Sequence, residues 1–251
     1  MQSINKHLCM NIRNSIICII FTLATVIVSY AATNTPEILP EKTKIINSKA
    51  IYLTFDDGPS KTMTDRALGI LKKYNIKATF FVIGVNIEGN EGVLKRIYDG
   101  GNSIGLHTYT HKYKKIYRSQ DEFITEMLKD SFKIRSILGI SPTAIRFPGG
   151  SPKKLNKDYL EKLHNYNFKV FDWNMALSDG INPNLSTAKL FKQGTKNADK
   201  KSRVILLMHC NEENKTTCQV LPKIIEYYQK LNYEFKRIED DTPEFYWKYK
   251  N

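Results

Sequence analysis

Short apolar segments alternate with longer amphipathic segments along most of this chain. The apolar segments have the length of buried strands and fall at 51–55, 78–83, 103–106, 143–147, 169–171, 203–208 and 234–238. The amphipathic segments predict helices over 63–74, 90–99, 120–138, 155–166, 186–198 and 219–231. Strands that alternate with helices form a parallel sheet covered by helices. We therefore predict an α/β fold, in the form of a distorted parallel (β/α) barrel of about seven strands.

The helix predicted over 120–138 has the clearest helical period. Residues three or four positions apart lie on one side of a helix. The face predicted in this way combines Ile124, Met127, Leu128, Ser131, Ile134 and Leu138. Gly139 follows and is expected to end the helix, because glycine readily adopts the left-handed backbone of a C-terminal cap.

The N-terminal segment has the layout of an export signal. Lys6 and Arg13 give it a positive charge, residues 16–28 form an apolar run, and Ala31 and Ala32 are small. A signal peptide combines these three features. An uncleaved membrane anchor would begin in the same way, although the apolar run is short for a span of about 20 residues. Both interpretations place the following domain outside the cytoplasm, either secreted or held at the cell surface.

The chain therefore divides into three predicted parts. Residues 1–32 are a signal peptide or an N-terminal membrane anchor. Residues 33–48 are polar and contain Pro36 and Pro40, which is typical of a linker. Residues 49–251 contain all the predicted strands and helices, and their length suits one domain with a sizeable core.

The chain is strongly basic, with a formal net charge of +13. A basic exported protein is attracted to polyanions, which outside a cell include wall polymers and acidic glycans. Charge that serves solubility alone is the simpler alternative. The lysines are scattered and no nucleic-acid-binding motif is present, so nucleic acid is not an expected partner. We expect a monomer that contacts a membrane only through an uncleaved N-terminal segment.

Acidic, imidazole and guanidinium side chains follow the predicted strands. They are Asp56, Asp57, His107, His111, Arg146, Asp172, Asp179 and His209. The carboxyl ends of parallel strands meet on one side of an α/β fold and line its active site. The pattern therefore predicts that these side chains, which come from separate segments, gather at one rim of the sheet.

Two of these pairs indicate a metal site. His107 and His111 lie four positions apart, and two imidazoles with one carboxylate can hold zinc or a similar ion. A histidine pair alone is also common in surface loops. Asp56 and Asp57 favour the metal site, because two adjacent acids after a buried strand are costly without compensation. One carboxylate can bind a metal while its neighbour accepts a proton.

Five short motifs follow one another in a recognisable order. They are TFDDGP at 54–59, HTYTH at 107–111, RFPGG at 146–150, FDWN with SDG at 171–180, and LLMH at 206–209. In this order and spacing, the chain resembles the polysaccharide deacetylases of carbohydrate esterase family 4, which share the NodB homology domain. The resemblance covers about residues 49–238 and implies that residues 49–251 form a deacetylase catalytic domain.

The resemblance implies a metal site and a general base. Asp57, His107 and His111 match the family's metal ligands, which usually hold zinc and also accept cobalt, nickel or manganese. Asp56 matches the general base, and Arg146 matches the arginine that orients this base. In general, a divalent ion polarises a carbonyl and lowers the pKa of water, and a carboxylate can accept the proton of that water.

The resemblance also implies a general acid and a substrate pocket. His209 matches the acid, and Asp179 matches the carboxylate that pairs with it. Gly149 is expected to offer its backbone N–H to the oxyanion of the tetrahedral intermediate. Leu207 and Trp173 match the apolar residues that shape the acetyl pocket.

The chain departs from the family pattern in three places. Gly149 stands where many members have tyrosine, which removes part of the pocket wall and leaves the substrate preference open. Cys210 stands where many members have aspartate, and it either forms a disulfide with Cys218 or stays a free thiol. The fifth-strand motif is loose, so Asp172 is an alternative to Asp179.

We predict metal-dependent hydrolysis of N-acetyl groups from an amino-sugar polymer. The basic charge and the export signal favour the N-acetylglucosamine of peptidoglycan as the substrate. Chitin oligomers, or O-acetyl groups such as those of xylan, are the alternative substrates, since the same residues suit them. A relative that binds carbohydrate without catalysis is the alternative from another class. It predicts loss of the base, the acid or a metal ligand, and all these residue types are present.

Overall fold

The computed structural model describes residues 49–248. The predicted leader at 1–32 and linker at 33–48 lie outside the described residues, so both stay predictions. The described strands are β1 (Ala50–Gly58), β2 (Thr79–Val82), β3 (Ser103–Leu106), β4 (Ala144–Ile145), β5 (Lys169–Val170), β6 (Met175–Ala176), β7 (Arg203–His209) and β8 (Glu234–Lys236).

Helices connect most of these strands. They are α1 (Met63–Lys73), α2 (Gly84–Ile87), α3 (Glu91–Asp99), α4 (Tyr113–Ile116), α5 (Gln120–Leu138), α6 (Lys157–Asn165), α7 (Thr187–Thr195) and α8 (Lys215–Lys230). A 3₁₀ turn spans Ala198–Lys200. No helix of the described part is long and apolar enough to cross a membrane.

The strands form one sheet in which every ladder is parallel. Their order is β5-β4-β3-β2-β1-β7-β6, and β8 pairs with β1 beside this path. The sheet curls into an incomplete barrel with β5 and β6 at its two edges. The predicted distorted parallel α/β barrel is therefore confirmed.

Strand β1 is the centre of the sheet. Along one side it pairs with β7, from Ala50 opposite Arg203 to Asp56 opposite His209. On the other side, the first three residues of β1 pair with β8, and its last residues pair with β2. Because β1 is covered on both sides and both faces, its sequence is a nearly continuous apolar run.

Alternate residues of the strands build two cores. Ile51, Leu53 and Phe55 of β1 belong to the large core in which the helices cover the outer face of the sheet. Tyr52 of β1 and Ile205 of β7 belong to a smaller core on the inner face. This alternation is expected, because successive side chains of a strand point to opposite faces.

The apolar face predicted for α5 is partly wrong. Ile124, Met127 and Ile134 are buried as expected, but Leu128 is 45% exposed. Two carboxylates, Glu126 and Asp130, are fully buried instead. Glu126 accepts hydrogen bonds from the loop after β3 and pairs with Lys115, and these contacts replace the water that its carboxylate loses. Asp130 accepts one hydrogen bond from the same loop, and burial raises its pKa well above the ordinary value. The helical period located the helix, but this exchange of polar for apolar residues does not appear in a hydropathy pattern.

The ends of α5 follow its sequence closely. Ser119 caps the start, where its side chain accepts a hydrogen bond from the Glu122 N–H. Gly139 ends the helix with φ 73°, as the sequence predicted. The helix predicted over 219–231 begins earlier, at Lys215, and contains Pro222. The short elements α2, α4 and β6 were not predicted, because two to four residues are too few to establish a period.

Both cysteines of the described part are free and buried. Cys210 follows β7 and Cys218 lies in α8. Of the two alternatives left open by the sequence, the structure contains the free thiols. Burial raises the pKa of Cys218 to about 11, so this thiol stays protonated at neutral pH.

Two glycine substitutions test the fold, one in the sheet and one in a helix. A Cβ added at Gly105 would lie 2.4 Å from the buried Phe81 ring, so we expect Gly105→Ala to destabilise the fold by about 1–3 kcal/mol.

Gly69 lies in α1 with no atom near its added Cβ, so Gly69→Ala should stabilise the fold by about 0.5–1 kcal/mol. Urea unfolding of both variants measures these free energies. Wild-type stability in Gly105→Ala would contradict the packing described here.

Candidate active site

A β-bulge places the two adjacent aspartates. Asp56 is opposite Phe81 and Gly58 is opposite Val82, so Asp57 is an extra residue in β1. Asp57 has φ 68°, in the left-handed region. In a regular strand, successive side chains point to opposite faces, whereas a bulge re-aims one of them. Both carboxylates consequently reach the same rim of the sheet.

Asp57, His107 and His111 come together as a candidate metal site. The Nε2 atoms of His107 and His111 lie 3.5 Å and 3.4 Å from Asp57 Oδ1. One ligand atom from each residue lies within 4.8 Å of the other two. Ligands bound at about 2.0–2.2 Å in a tetrahedral zinc site lie roughly 3.3–3.5 Å apart. Asp57 Oδ1 is buried without a hydrogen-bond partner, so the site offers an unpaired acceptor to a cation.

The orientation of His107 suits a metal ligand. Its Nδ1 lies 3.0 Å from the carbonyl oxygen of Arg146. Because a carbonyl only accepts, Nδ1 carries the proton and Nε2 presents its lone pair toward Asp57. Burial lowers the pKa of His107 to about 3, so the ring is neutral at physiological pH.

Arg146 binds Asp56 in the interior of the barrel. The Arg146 side chain is fully buried, and its Nη1 donates to Asp56 Oδ1 at 2.8 Å and to Thr54 Oγ1 at 2.7 Å. Its Nε donates to the Phe171 carbonyl at 2.7 Å, and its guanidinium lies 4.0 Å from the Phe81 ring centre. Burial raises the pKa of Asp56, whereas the charges of Arg146 and His209 oppose this rise. Asp56 is therefore a buried carboxylate that accepts a hydrogen bond from Arg146 and lies beside the three candidate ligands.

His209 and Asp179 form a second pair at the same rim. Asp179 Oδ1 lies 2.9 Å from His209 Nδ1, and Oδ2 accepts from the His209 N–H at 2.9 Å and from Thr217 Oγ1 at 2.7 Å. Burial lowers the pKa of His209, but its hydrogen bond to Asp179 and the nearby negative charges outweigh burial and raise it to about 9. The ring is thus protonated at neutral pH.

Asp172 has a different place from Asp179. Its carboxylate accepts from the Ser151 N–H at 3.0 Å, from the Ser151 hydroxyl and from the Trp247 N–H at 3.1 Å. It joins the loop after β4 to the C-terminal segment. Asp179, rather than Asp172, is therefore the partner of His209.

The three predicted pocket residues lie around this rim. Leu207 is two residues before His209 in β7, and the two side chains share the inner face of the strand. Trp173 is half-buried and packs beside Gly150, where an added Cβ would lie 3.1 Å from the ring. Gly149 has φ 70°, and its N–H makes no hydrogen bond within the described residues.

Tyr113 occupies the space beside Gly149, where we expected a gap in the pocket wall. A Cβ added at Gly149 would lie 3.0 Å from the Tyr113 hydroxyl oxygen. The Tyr113 ring is 49% exposed and stands edge-on to the ring of His111, 5.5 Å between centres. A tyrosine from α4 therefore replaces part of the wall that the glycine omits. Tyr113 was not predicted as a site residue, although it lies only two residues after the candidate ligand His111.

Three further residues support the site and were not predicted from the sequence. Thr217 donates a hydrogen bond to Asp179, and Asp130 accepts one from the backbone N–H of His107. Glu126 accepts from the Thr110 N–H, between the two candidate histidine ligands. None of the three lies at the end of a strand, which was the signal used to select candidates. The burial of polar residues on helices would have found them, but burial is not readable from a sequence pattern.

Comparisons with known proteins agree with this architecture. The sequence model described as polysaccharide deacetylase matches residues 44–171. A peptidoglycan-N-acetylglucosamine deacetylase of Bacillus cereus is 33% identical over 198 residues, which cover 77% of this chain and 71% of that protein.

Solved structures give the same result. The catalytic domain of a peptidoglycan N-acetylglucosamine deacetylase from Eubacterium rectale superposes with a TM-score of 0.73 and 28% identity, covering 81% of this chain and 94% of that one. A CE4 esterase of Streptococcus mutans superposes with a TM-score of 0.70 and 26% identity, covering 77% and 87%. The chain therefore belongs to the polysaccharide deacetylase family of hydrolases.

Proposed function

We propose that this protein removes N-acetyl groups from peptidoglycan by metal-dependent hydrolysis. The observation that carries the proposal is the separation of roles at one rim. Asp57, His107 and His111 form a three-ligand cluster, while Asp56 and His209 stand beside it with other partners. A binding protein needs no such division, whereas metal-dependent hydrolysis uses a cation, a base and an acid.

Asp57, His107 and His111 would hold the metal ion. Two imidazoles and one carboxylate are a donor set that binds zinc, and it also suits cobalt, nickel and manganese. When bound, such an ion polarises an amide carbonyl and lowers the pKa of water. The chain's own contribution is to present Nε2 of both histidines and the unpaired Asp57 Oδ1 on one side.

Asp56 is the proposed base. It accepts the proton of the attacking water, whose oxygen bonds to the carbonyl carbon of the acetamido group. Arg146 holds Oδ1 of Asp56, which leaves Oδ2 turned toward the candidate ligands, 3.6 Å from His107 Nε2. The rise that burial causes in the pKa of Asp56 makes the carboxylate a better proton acceptor.

His209 is the proposed acid. Its protonated ring gives a proton to the amine as the carbon–nitrogen bond breaks, which releases acetate and a free amino sugar. Asp179 keeps the ring oriented and protonated until this step. The unbonded N–H of Gly149 is the proposed donor to the oxyanion, and Leu207 and Trp173 are the proposed lining of the space for the methyl group.

Peptidoglycan is the proposed substrate for two reasons. The named relatives in Bacillus cereus and Eubacterium rectale are peptidoglycan N-acetylglucosamine deacetylases. The chain also carries a net charge of +13, which suits an anionic cell wall. A substrate in the wall requires export, and the predicted leader at 1–32 would supply it.

Acetate release tests the proposed reaction directly. We expect the purified zinc-loaded protein to release acetate from peptidoglycan and from N-acetylglucosamine oligomers, and chelation to abolish the release. Asp56→Asn should lower kcat by about 100-fold or more, because it removes the base while keeping the size of the side chain. The Asp240→Asn variant, at an exposed position away from the rim, is the matched control and should keep wild-type kcat.

The substrates used in this assay separate the alternatives. Preference for chitin oligomers, or release from acetylated xylan alone, would replace peptidoglycan by that substrate. No acetate from any of the three polymers, together with binding of an oligomer by a folded, zinc-loaded protein, would contradict hydrolysis and favour the binding-only alternative.

The pH dependence tests the pairing of His209 with Asp179. In Asp179→Asn, we expect the pKa of His209 to fall from about 9 toward the ordinary value of about 6.5, because a charge and a strong acceptor are lost. Since His209 acts when protonated, the alkaline limb of the kcat/KM profile should move to lower pH. NMR titration of the metal-free protein and the pH profile of the zinc-loaded protein measure these shifts.

The same pair affects stability, with a definite sign. Because the folded pKa is raised, the pair stabilises the fold fully below about pH 6.5, and this contribution is lost as the pH rises through about 9. Thr217→Val removes one hydrogen bond to Asp179 but keeps the charge of Asp179. It should therefore move the pKa of His209 less than Asp179→Asn does. An unchanged His209 pKa in Asp179→Asn would refute the assignment.

A further inference from the structure

The loop between His107 and His111 has an unfavourable backbone. Thr108 has φ 69° and His111 has φ 53°, both in the left-handed region. Residues with a Cβ rarely adopt this backbone conformation, which costs on the order of 1 kcal/mol or more for each residue. Such a conformation persists only when its surroundings hold it in place.

Glu126 is one of the side chains that hold this loop, together with the Thr108 hydroxyl, which accepts from the His111 N–H at 3.1 Å. Glu126 Oε2 accepts from the Thr110 N–H at 2.7 Å and from the Thr110 hydroxyl at 2.8 Å. Glu126 is fully buried, and Lys115 Nζ lies 2.6 Å from its other oxygen, Oε1. A charged acceptor of two short hydrogen bonds inside the protein is a strong anchor.

A second anchor lies one helical turn away. Asp130 is four residues after Glu126 in α5, so both carboxylates leave the same side of the helix. Asp130 Oδ2 accepts from the backbone N–H of His107 at 3.1 Å. The side of α5 next to its predicted apolar face thus fixes the loop at two points.

We propose that Glu126 is a positioning residue that sets the metal affinity of the Asp57–His107–His111 site by fixing the backbone between the two histidines. This inference rests on the proposed function, because it assumes that these residues bind a metal ion. Glu126 contacts neither imidazole, so its effect passes through Thr110. Without this anchor the loop relaxes from its left-handed conformation, and the two Nε2 atoms separate.

Zinc affinity of the metal-free full-length protein tests this inference. We expect Glu126→Ala to raise the zinc Kd by about 10- to 100-fold, as is usual for residues that orient metal ligands. Competition with a chromogenic chelator measures the Kd without relying on activity. Glu126→Gln keeps an acceptor oxygen for Thr110 and should recover part of the lost affinity.

Two further variants separate positioning from general loss of stability. Ile134→Ala leaves a cavity in the core side of the same helix, so it should lower the Tm while the zinc Kd stays within about threefold of wild type. Thr110→Val removes one of the two hydrogen bonds to Glu126 and should weaken zinc binding less than Glu126→Ala. It also serves as the test if Glu126→Ala does not fold.

The outcomes distinguish this inference from the proposed function. Wild-type zinc affinity in Glu126→Ala and Thr110→Val would overturn the positioning role alone. An equal loss of affinity in Ile134→Ala would overturn it too, because the effect would then follow stability. If the wild-type protein binds neither zinc nor cobalt, nickel or manganese, both the positioning role and the proposed function would be overturned.

Discussion

The whole rim depends on one buried cation, Arg146. A guanidinium inside a protein is costly unless every part of it is paired. Here its donors reach Thr54 and Asp56 of β1 and the carbonyl oxygens of Phe171 and Asp172 after β5, while its own carbonyl faces His107 Nδ1. The same residue therefore ties distant strands together, holds the proposed base and orients a candidate metal ligand.

Around Arg146 the electrostatics divide the site into two halves. Burial raises the pKa of Asp56, while Asp179 keeps His209 protonated with a pKa of about 9. The proposed base Asp56, which accepts a proton readily, and the proposed acid His209, which retains its proton, can then coexist at one pH. Asp57, His107 and His111 lie beside them as the proposed ligands of a cation, and His107 is neutral because burial lowers its pKa to about 3.

The sequence predicted which polar residues lie at the ends of the strands, but not the contacts that other segments make with them. Strand–helix alternation predicted the parallel barrel, and polar residues after the strands predicted the groups at the rim. The bulge at Asp57 could not be predicted, because it depends on the register between β1 and β2. Burial of Glu126, and the placement of Tyr113 beside Gly149, depend on contacts between segments far apart in the chain, which periodicity does not contain.

Anomalous diffraction at the zinc absorption edge, from crystals grown with zinc, tests the central claim most directly. We expect one strong peak about 2.0–2.2 Å from a carboxylate oxygen of Asp57 and from Nε2 of His107 and His111, with Asp56 and His209 outside bonding distance. A peak bonded to other residues, or no peak in crystals of a protein that releases acetate, would contradict the division of roles between Asp57 and Asp56.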